Sequence, residues 1–195
     1  MENIEMKKIS ECPVDQAEEM IAGQVVTALD KLKGGEGGSE LLSKRLSQYL
    51  GMIRAMHLWY HSAHHATRGA SFIGDHASLF GKFYEEAVGE FDGTMEKAVG
   101  LTGDEGISCP VYITKLALQV LTKYPSPPAL SSLAIAATAL QMEKDYIKMV
   151  GQIFEDLEGE GSLTLGLNDF LMAAANSHET RVYLLQQRIK TTLDN

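Results

Sequence analysis

Apolar residues recur every three or four positions along most of the 195-residue chain, a spacing typical of amphipathic helices. Alternating, strand-like patterns are scarce. The stripes predict four long helices, at about residues 39–67, 72–101, 128–157 and 163–193. Because each helix has one apolar face that needs a partner, the pattern predicts an all-α four-helix bundle with a shared core.

The connections between these helices are set by glycine and proline. Gly103 ends the second helix, and Ser126-Pro127-Pro128 predicts the start of the third, since a capping hydroxyl precedes proline in the first turn. Residues 104–125 form a long connection with a predicted short helix from Pro110 to Lys123. A four-helix bundle with one long crossover has the ferritin-like topology.

Residues 1–38 are predicted to form an extension outside the bundle. Apolar positions repeat at helical spacing over Val14–Lys33, so one extra N-terminal helix is expected. The glycine-rich run at 34–38 then acts as a flexible linker. The predicted organisation is an N-terminal extension, 1–38, followed by the ferritin-like bundle, 39–195.

The net charge is −9, from 26 acidic and 17 basic side chains. This excess repels phosphate, which argues against non-specific nucleic-acid binding, and it attracts cations. Cys12 and Cys109 are too far apart in sequence to suggest a disulfide framework, so a cytoplasmic location is expected. No signal peptide is evident, and no apolar run approaches the roughly 18 residues that would span a bilayer.

Four of the six histidines lie near the end of the first long helix. His57, His61 and His64 share one face, and His65 is one turn from His61. Neutral imidazole is a common ligand of first-row metals, so one interpretation is a metal site. The alternative is a polar helix end or a subunit contact. His178 stands alone on an apolar stripe and is expected to be a packed core or interface residue.

The second long helix contains several acidic residues. Asp92 and Glu96 are one turn apart and are spaced to bind one cation, although a solvated acidic face is the other interpretation. The same helix contains Gly74, Gly81, Gly89 and Gly93, and so many glycines suggest close packing.

The segment His64–His76 resembles the signature of the Dps family of mini-ferritins. In that family, a His in the first bundle helix is followed by a Gly-containing turn, a Phe and a second His at the start of the next helix. The later stretch Phe91–Val99 is similar to the family's acidic pair, and Dps proteins also have a short crossover helix. The resemblance covers about residues 39–192.

This resemblance implies an iron site shared by two chains. His64 and His76 of one subunit would face Asp92 and Glu96 of its dimer partner, with His61 and His65 as less certain ligands. The implied activity is oxidation of Fe(II), often with hydrogen peroxide, and storage of ferric iron inside a hollow homo-oligomer. In the family this shell has twelve subunits built from dimers, and it limits peroxide damage.

Two departures from the family pattern bear on this site. The family usually has an Asp one turn after the second His, where this chain has Phe80. The distance from His76 to Asp92 is also one residue longer, and at about 100° per residue this insertion would turn later ligands off their face. A π-bulge near the glycines would absorb the extra residue; otherwise His76 would precede the helix proper.

Three alternatives to an iron-oxidising enzyme follow. One is a Dps-like shell that has lost its ferroxidase centre and acts as a structural or binding protein. In another, His57, His61 and His65 form a relocated site for a different metal. The third is DNA binding, which some family members achieve with basic tails. Here the tails offer little beyond Lys7 and Lys8 at one end and Arg188 and Lys190 at the other, so it is not expected.

Overall fold

The structure, a computed structural model, describes residues 40–193, with side chains through residue 190. Over this range the chain is helical and contains no strand. Its α-helices are α1 (Glu40–Ala66), α2 (Gly81–Thr102), α3 (Pro110–Leu121), α4 (Ser132–Glu160) and α5 (Leu165–Leu193). The predicted helix at 14–33 and the rest of the 1–38 extension lie outside the described residues, so that part of the organisation stays a prediction.

Helix α1 is the central element of the bundle. It packs against α2, α3 and α4, while α5 packs against α4. α3 lies in the long crossover between α2 and α4, close enough to α1 that a Cβ added at Gly51 would come within 2.7 Å of Leu116 Cβ. The prediction of an all-α four-helix bundle with a short helix in the crossover is confirmed.

The core is formed by the inward faces of the long helices. Its largest fully buried side chains come mainly from α1 and α4: Tyr49, Tyr60, Leu46, Leu50, Ile53, Met56, Ile135, Met142, Tyr146 and Ile153. Burial of such apolar side chains stabilises the fold by about 1.5–3 kcal/mol each, before the entropy of ordering is subtracted. The aromatic residues make this core partly polar, because each tyrosine needs a partner for its hydroxyl.

A π-helical segment, Gly74–Phe80, leads directly into α2. The N–H of Gly81 donates to the carbonyl of His76, five residues earlier, which is the π-type bond. Of the two arrangements expected for the extra residue, the structure has the π-helical one near the glycines, and His76 lies within the helical segment.

The predicted start of the third long helix was wrong by about one turn. Pro127–Ala129 form a short 3₁₀ turn, and Leu130 is extended at φ −109° and ψ 155°. The true N-cap is Ser131, whose hydroxyl accepts the N–H of Ala134 at 3.2 Å. Proline fixes a φ that suits a 3₁₀ turn as well as an α-helix, so the Ser-Pro-Pro signal did not distinguish them.

No helix within residues 40–193 combines the length and the apolar character needed to cross a membrane.

Candidate metal centre

The two histidines singled out by the sequence, His64 and His76, are in direct contact. Their rings are stacked with centroids 3.6 Å apart and planes inclined by 21°. His64 lies at the end of α1 and His76 in the π-helical segment. The turn between them therefore reverses the chain direction and brings the two segments together. Both side chains are partly exposed.

Each ring is held by the other residue's backbone. Nδ1 of His64 lies 2.8 Å from the carbonyl oxygen of His76, and Nδ1 of His76 lies 2.7 Å from that of His64. A carbonyl oxygen only accepts, so both Nδ1 atoms must carry the proton and donate. In the neutral rings the lone pair is then on Nε2, and no described residue hydrogen-bonds to either Nε2. Metal-binding histidines commonly use this arrangement, in which a carbonyl fixes the tautomer.

Gly81 is the residue that adjoins this pair one turn into the helix. A Cβ at Gly81 would lie 2.7 Å from the carbonyl oxygen of His76 and 3.3 Å from Nδ1 of His64. Phe80, by contrast, is fully buried and packs against the rings of Trp59, Tyr60 and Phe83. The π-helical turn thus directs the side chain of Phe80 into the core and places Gly81 next to His64 and His76. No carboxylate side chain is therefore present beside the two histidines one turn after His76.

The start of the π-helical segment is fixed to the end of α5. Asp75 is 1% exposed and receives two bonds from Arg188, from Nε at 2.7 Å and from Nη2 at 2.9 Å. Arg188 Nη2 also donates to the hydroxyl of Ser71 at 2.6 Å, and Ser71 donates to Asp75. Asp75 directly precedes His76 in sequence. Its bidentate ion pair with Arg188 therefore restrains the backbone that positions the His76 ring.

Asp92 and Glu96 are both exposed, on α2. Asp92 is 11 residues beyond Gly81, which at 1.5 Å per residue is about 16 Å along the helix axis. The acidic pair therefore cannot bind the same ion as His64 and His76 of its own chain. Consistent with this, no group of three or more His, Cys, Asp or Glu in residues 40–193 of a single chain is placed to hold a metal ion.

The other histidines of α1 form a row beside this pair. The rings of His61 and His65 are 5.0 Å apart, and those of His57 and His61 are 6.4 Å apart and nearly parallel. Nδ1 of His57 lies 3.1 Å from the Arg54 guanidinium. Partial burial, followed by the charge of Arg54 and the neighbouring His61, lowers the pKa of His57.

A second polar cluster, which the sequence did not reveal, lies inside the bundle. We call it the core cluster: Tyr49, Tyr60, Glu90, Glu143, Tyr146, His178 and Arg181. His178 is fully buried, with Nε2 2.8 Å from Glu90 and Nδ1 hydrogen-bonded to Glu143. The expectation that His178 is a packed core residue is confirmed.

The tyrosines and the arginine satisfy the remaining oxygens of the core cluster. Tyr49 and Tyr146 both donate to Glu90, and Tyr60 donates to Glu143. Arg181 Nη1 lies 3.7 Å from Glu143, while its Nη2 pairs with Glu86 at 3.1 Å. The buried carboxylate of Glu143 and the largely buried one of Glu90 thus face two basic side chains, as burial of charge requires.

The pKa values of this cluster shift in the directions that the pairing predicts. For His178, burial lowers the pKa, but the adjacent Glu143 and Glu90 outweigh it, so the pKa is raised above 6.5. For Glu90, burial raises the pKa, and the bonds from His178 and Tyr146 outweigh it, so the pKa is lowered. Burial and the nearby carboxylates raise the pKa of Tyr60 and Tyr146. The raised pKa of His178 favours the imidazolium beside the carboxylates, and the raised pKa values of the tyrosines favour their protonated hydroxyls.

The structure is similar to that of Dps from Mycobacterium smegmatis in its tetragonal form, with a TM-score of 0.65 and 22% sequence identity. The similarity covers 75% of this chain and 84% of that Dps chain. The chain therefore has a Dps-like, ferritin-like fold. No family model and no curated protein matches the sequence.

This fold allows a metal site in a second place, the interior of the bundle. Ferritin-like carboxylate proteins can hold two metal ions there, between Glu and His side chains of facing helices. Here Glu90 and Glu143 are already neutralised by His178 and Arg181, and their oxygens accept hydrogen bonds from tyrosines. These residues do not fit a metal in the bundle core, which leaves the His64/His76 surface as the candidate centre.

Proposed function

We propose that this chain is a Dps-like protein that binds and oxidises Fe(II), stores the ferric product inside a hollow oligomeric shell, and so limits peroxide damage. The observation that carries the proposal is the stacked pair of His64 and His76. Each ring has its Nδ1 proton committed to a carbonyl and its Nε2 available for a metal. Imidazole nitrogen combined with carboxylate oxygen suits ferrous iron and its ferric product.

The carboxylates of the proposed site come from a second chain. Asp92 and Glu96 lie too far along α2 to reach their own histidines, and both are exposed and therefore open to a partner. In a two-fold symmetric dimer, the acidic pair of each chain would face the histidine pair of the other, giving two equivalent sites. The two negative charges would stabilise Fe(III) more than Fe(II), which favours oxidation.

The proposed reaction is a two-electron reduction of hydrogen peroxide. Each of two Fe(II) ions gives up one electron, the O–O bond breaks, and two protons are taken up to form two water molecules. Iron is substrate and stored cargo. The histidines hold it in place, the carboxylates compensate its increasing charge, and the net charge of −9 attracts cations to the protein.

The site assignment is tested by following Fe(II) oxidation by absorbance, with and without peroxide. The double variant His64→Ala, Asp92→Ala should lose most of the activity, because it removes ligands from both sides of each site. Asp169→Asn, an exposed acidic residue on α5, is the matched control and should retain wild-type rates. Oxidation by the double variant at the wild-type rate would remove the assignment.

An alternative function is supported by Gly81. Since Phe80 points into the core and a glycine adjoins the histidines, the site lacks the acidic residue that the Dps pattern has after its second His. A shell with such a degenerate centre would act as a structural or binding protein. Titration of the purified protein with Fe(II) discriminates: saturable binding followed by oxidation supports the enzyme, and absence of saturable binding supports the inert shell.

The proposal includes a homo-oligomeric shell of twelve subunits built from dimers and no role for DNA. Light scattering coupled to gel filtration, or negative-stain images, should show a hollow particle of about twelve times 21.3 kDa. A gel shift at low salt should show no retardation of DNA, because the described surface and the net charge of −9 offer no basic excess.

A further inference from the structure

His61 and His65 differ from the stacked pair in bonding but lie next to it: the ring of His65 is 4.7 Å from that of His64 and 6.2 Å from that of His76. They occupy successive turns of α1, both are exposed, and their ring centroids lie 5.0 Å apart with planes inclined by 72°. Among the described residues, none hydrogen-bonds to a ring nitrogen of either. Both rings therefore retain a lone pair that is open to solvent.

The spacing of these two rings suits a shared metal ion. With metal–nitrogen bonds of about 2.0–2.1 Å and tetrahedral angles, two imidazoles on one zinc ion have ring centres about 5 Å apart. Histidines at i and i+4 on one helix face are also the pair that zinc-binding helices use. Little rearrangement of α1 is therefore needed for both rings to bind the same cation.

The neighbouring histidines on either side are not assigned to this pair. Arg54 donates to Nδ1 of His57, so the neutral ring of His57 has its proton on Nε2 and no free lone pair. A guanidinium at that distance also repels a cation. On the other side, the ring of His64 is 4.7 Å from that of His65, but the Nε2 atoms of His64 and His76 are the ones that the proposed function assigns to iron.

We propose that His61 and His65 form a second cation site, which takes Zn²⁺ or another divalent ion that prefers nitrogen ligands, such as Ni²⁺ or Cu²⁺. With two protein ligands and no carboxylate, the site favours these ions over Mg²⁺ and Ca²⁺, which require oxygen. Water or a residue of another copy completes the coordination. The exclusion of His64 from this second site rests on its proposed role in binding iron.

The test is calorimetric titration of the full-length protein with Zn²⁺, in wild type and single variants. His61→Gln and His65→Gln should each lower the zinc affinity by at least about tenfold, since even an outer-shell partner of a metal ligand contributes that much. His57→Gln, on the same face of α1, is the matched control and should bind zinc as wild type does. The variants should fold normally, which circular dichroism checks.

Two results would overturn the proposal. One is the absence of saturable zinc binding by the wild type. The other is loss of zinc binding in His64→Gln with retention in His61→Gln, which would place zinc at the stacked pair instead. Fe(II) oxidation by His65→Gln is measured in parallel, so that failure of the iron proposal is seen separately from failure of this one.

Discussion

The imidazoles of His64 and His76 hold each other's tautomer, because Nδ1 of each donates to the backbone carbonyl of the other at 2.8 and 2.7 Å. This reciprocal bonding links the end of α1 to the π-helical segment in a closed loop of two hydrogen bonds. It leaves the two Nε2 atoms as the only unprotonated ring nitrogens of the neutral pair. The pair is thus pre-organised for a metal before any metal binds.

Gly81→Ala should disturb this pair. The added Cβ would lie 2.7 Å from the carbonyl oxygen of His76 and 3.3 Å from Nδ1 of His64, so the backbone or the ring must shift. We expect slower Fe(II) oxidation and a loss of about 1–3 kcal/mol in the free energy of unfolding, as for other overpacked sites. Urea unfolding and the absorbance assay measure the two effects.

Gly89→Ala is the control for that variant. Gly89 also lies in α2, but a Cβ there would meet nothing within 4 Å. Replacing a helix-interior glycine by alanine should therefore stabilise the fold by about 0.5–1 kcal/mol and leave iron oxidation unchanged. Equal effects of the two substitutions would show that Gly81 has no special role at the histidines.

Arg188→Lys should loosen the segment that presents His76. Lysine cannot reproduce the bidentate contact with buried Asp75 or the third bond to Ser71. We expect the free energy of unfolding to fall by about 1.5–3 kcal/mol, the range for hydrogen bonds to charged groups, and iron affinity to fall with it. In a double-mutant cycle, Asp75→Asn should then add little to Arg188→Lys. Full additivity would contradict a coupled pair.

The core cluster should make stability depend on pH. The pKa of His178 is raised in the folded state above 6.5, so its contribution is complete below about pH 6.5 and is lost as pH rises through the raised value. The pKa of Glu90 is lowered below 4.5, so its contribution is present above that value and is lost as pH falls through the lowered one. Stability should therefore be greatest between these two limits.

The variant His178→Gln tests the predicted loss of stability at higher pH. The variant leaves Glu90 and Glu143 buried without their imidazolium and should cost about 3–5 kcal/mol near pH 6. The difference in the free energy of unfolding between variant and wild type should decrease as pH rises, because His178 of the wild type then loses its proton and its charge. Urea unfolding from pH 5 to 9, at one protein concentration and with chelator, measures this, and exposed His61→Gln is the control. A difference that is independent of pH would contradict the ion-pair assignment.

The sequence predicted the bundle because helix stripes are short-range patterns, whereas the pairing of His64 with His76 came from the resemblance to the Dps family. The π-helical segment was one of two arrangements expected from the extra residue that this chain has, relative to the family pattern, before Asp92. The sequence did not show that this segment directs Phe80 into the core and places Gly81 beside the two histidines. That outcome depends on which position of the turn accommodates the extra residue. Nor did it reveal Glu90, which looks like part of an exposed acidic face until the bundle brings it to His178, 88 residues away.

The central claim is that histidines of one chain share iron with carboxylates of another. Chains with His64→Gln and His76→Gln, and chains with Asp92→Asn and Glu96→Gln, should each be inactive when assembled alone. When the two are mixed equally and co-assembled, half of the dimers are mixed and each contains one intact site of two. Fe(II) oxidation should therefore recover to about a quarter of the wild-type rate. No recovery in the mixed assembly would contradict a site shared between chains.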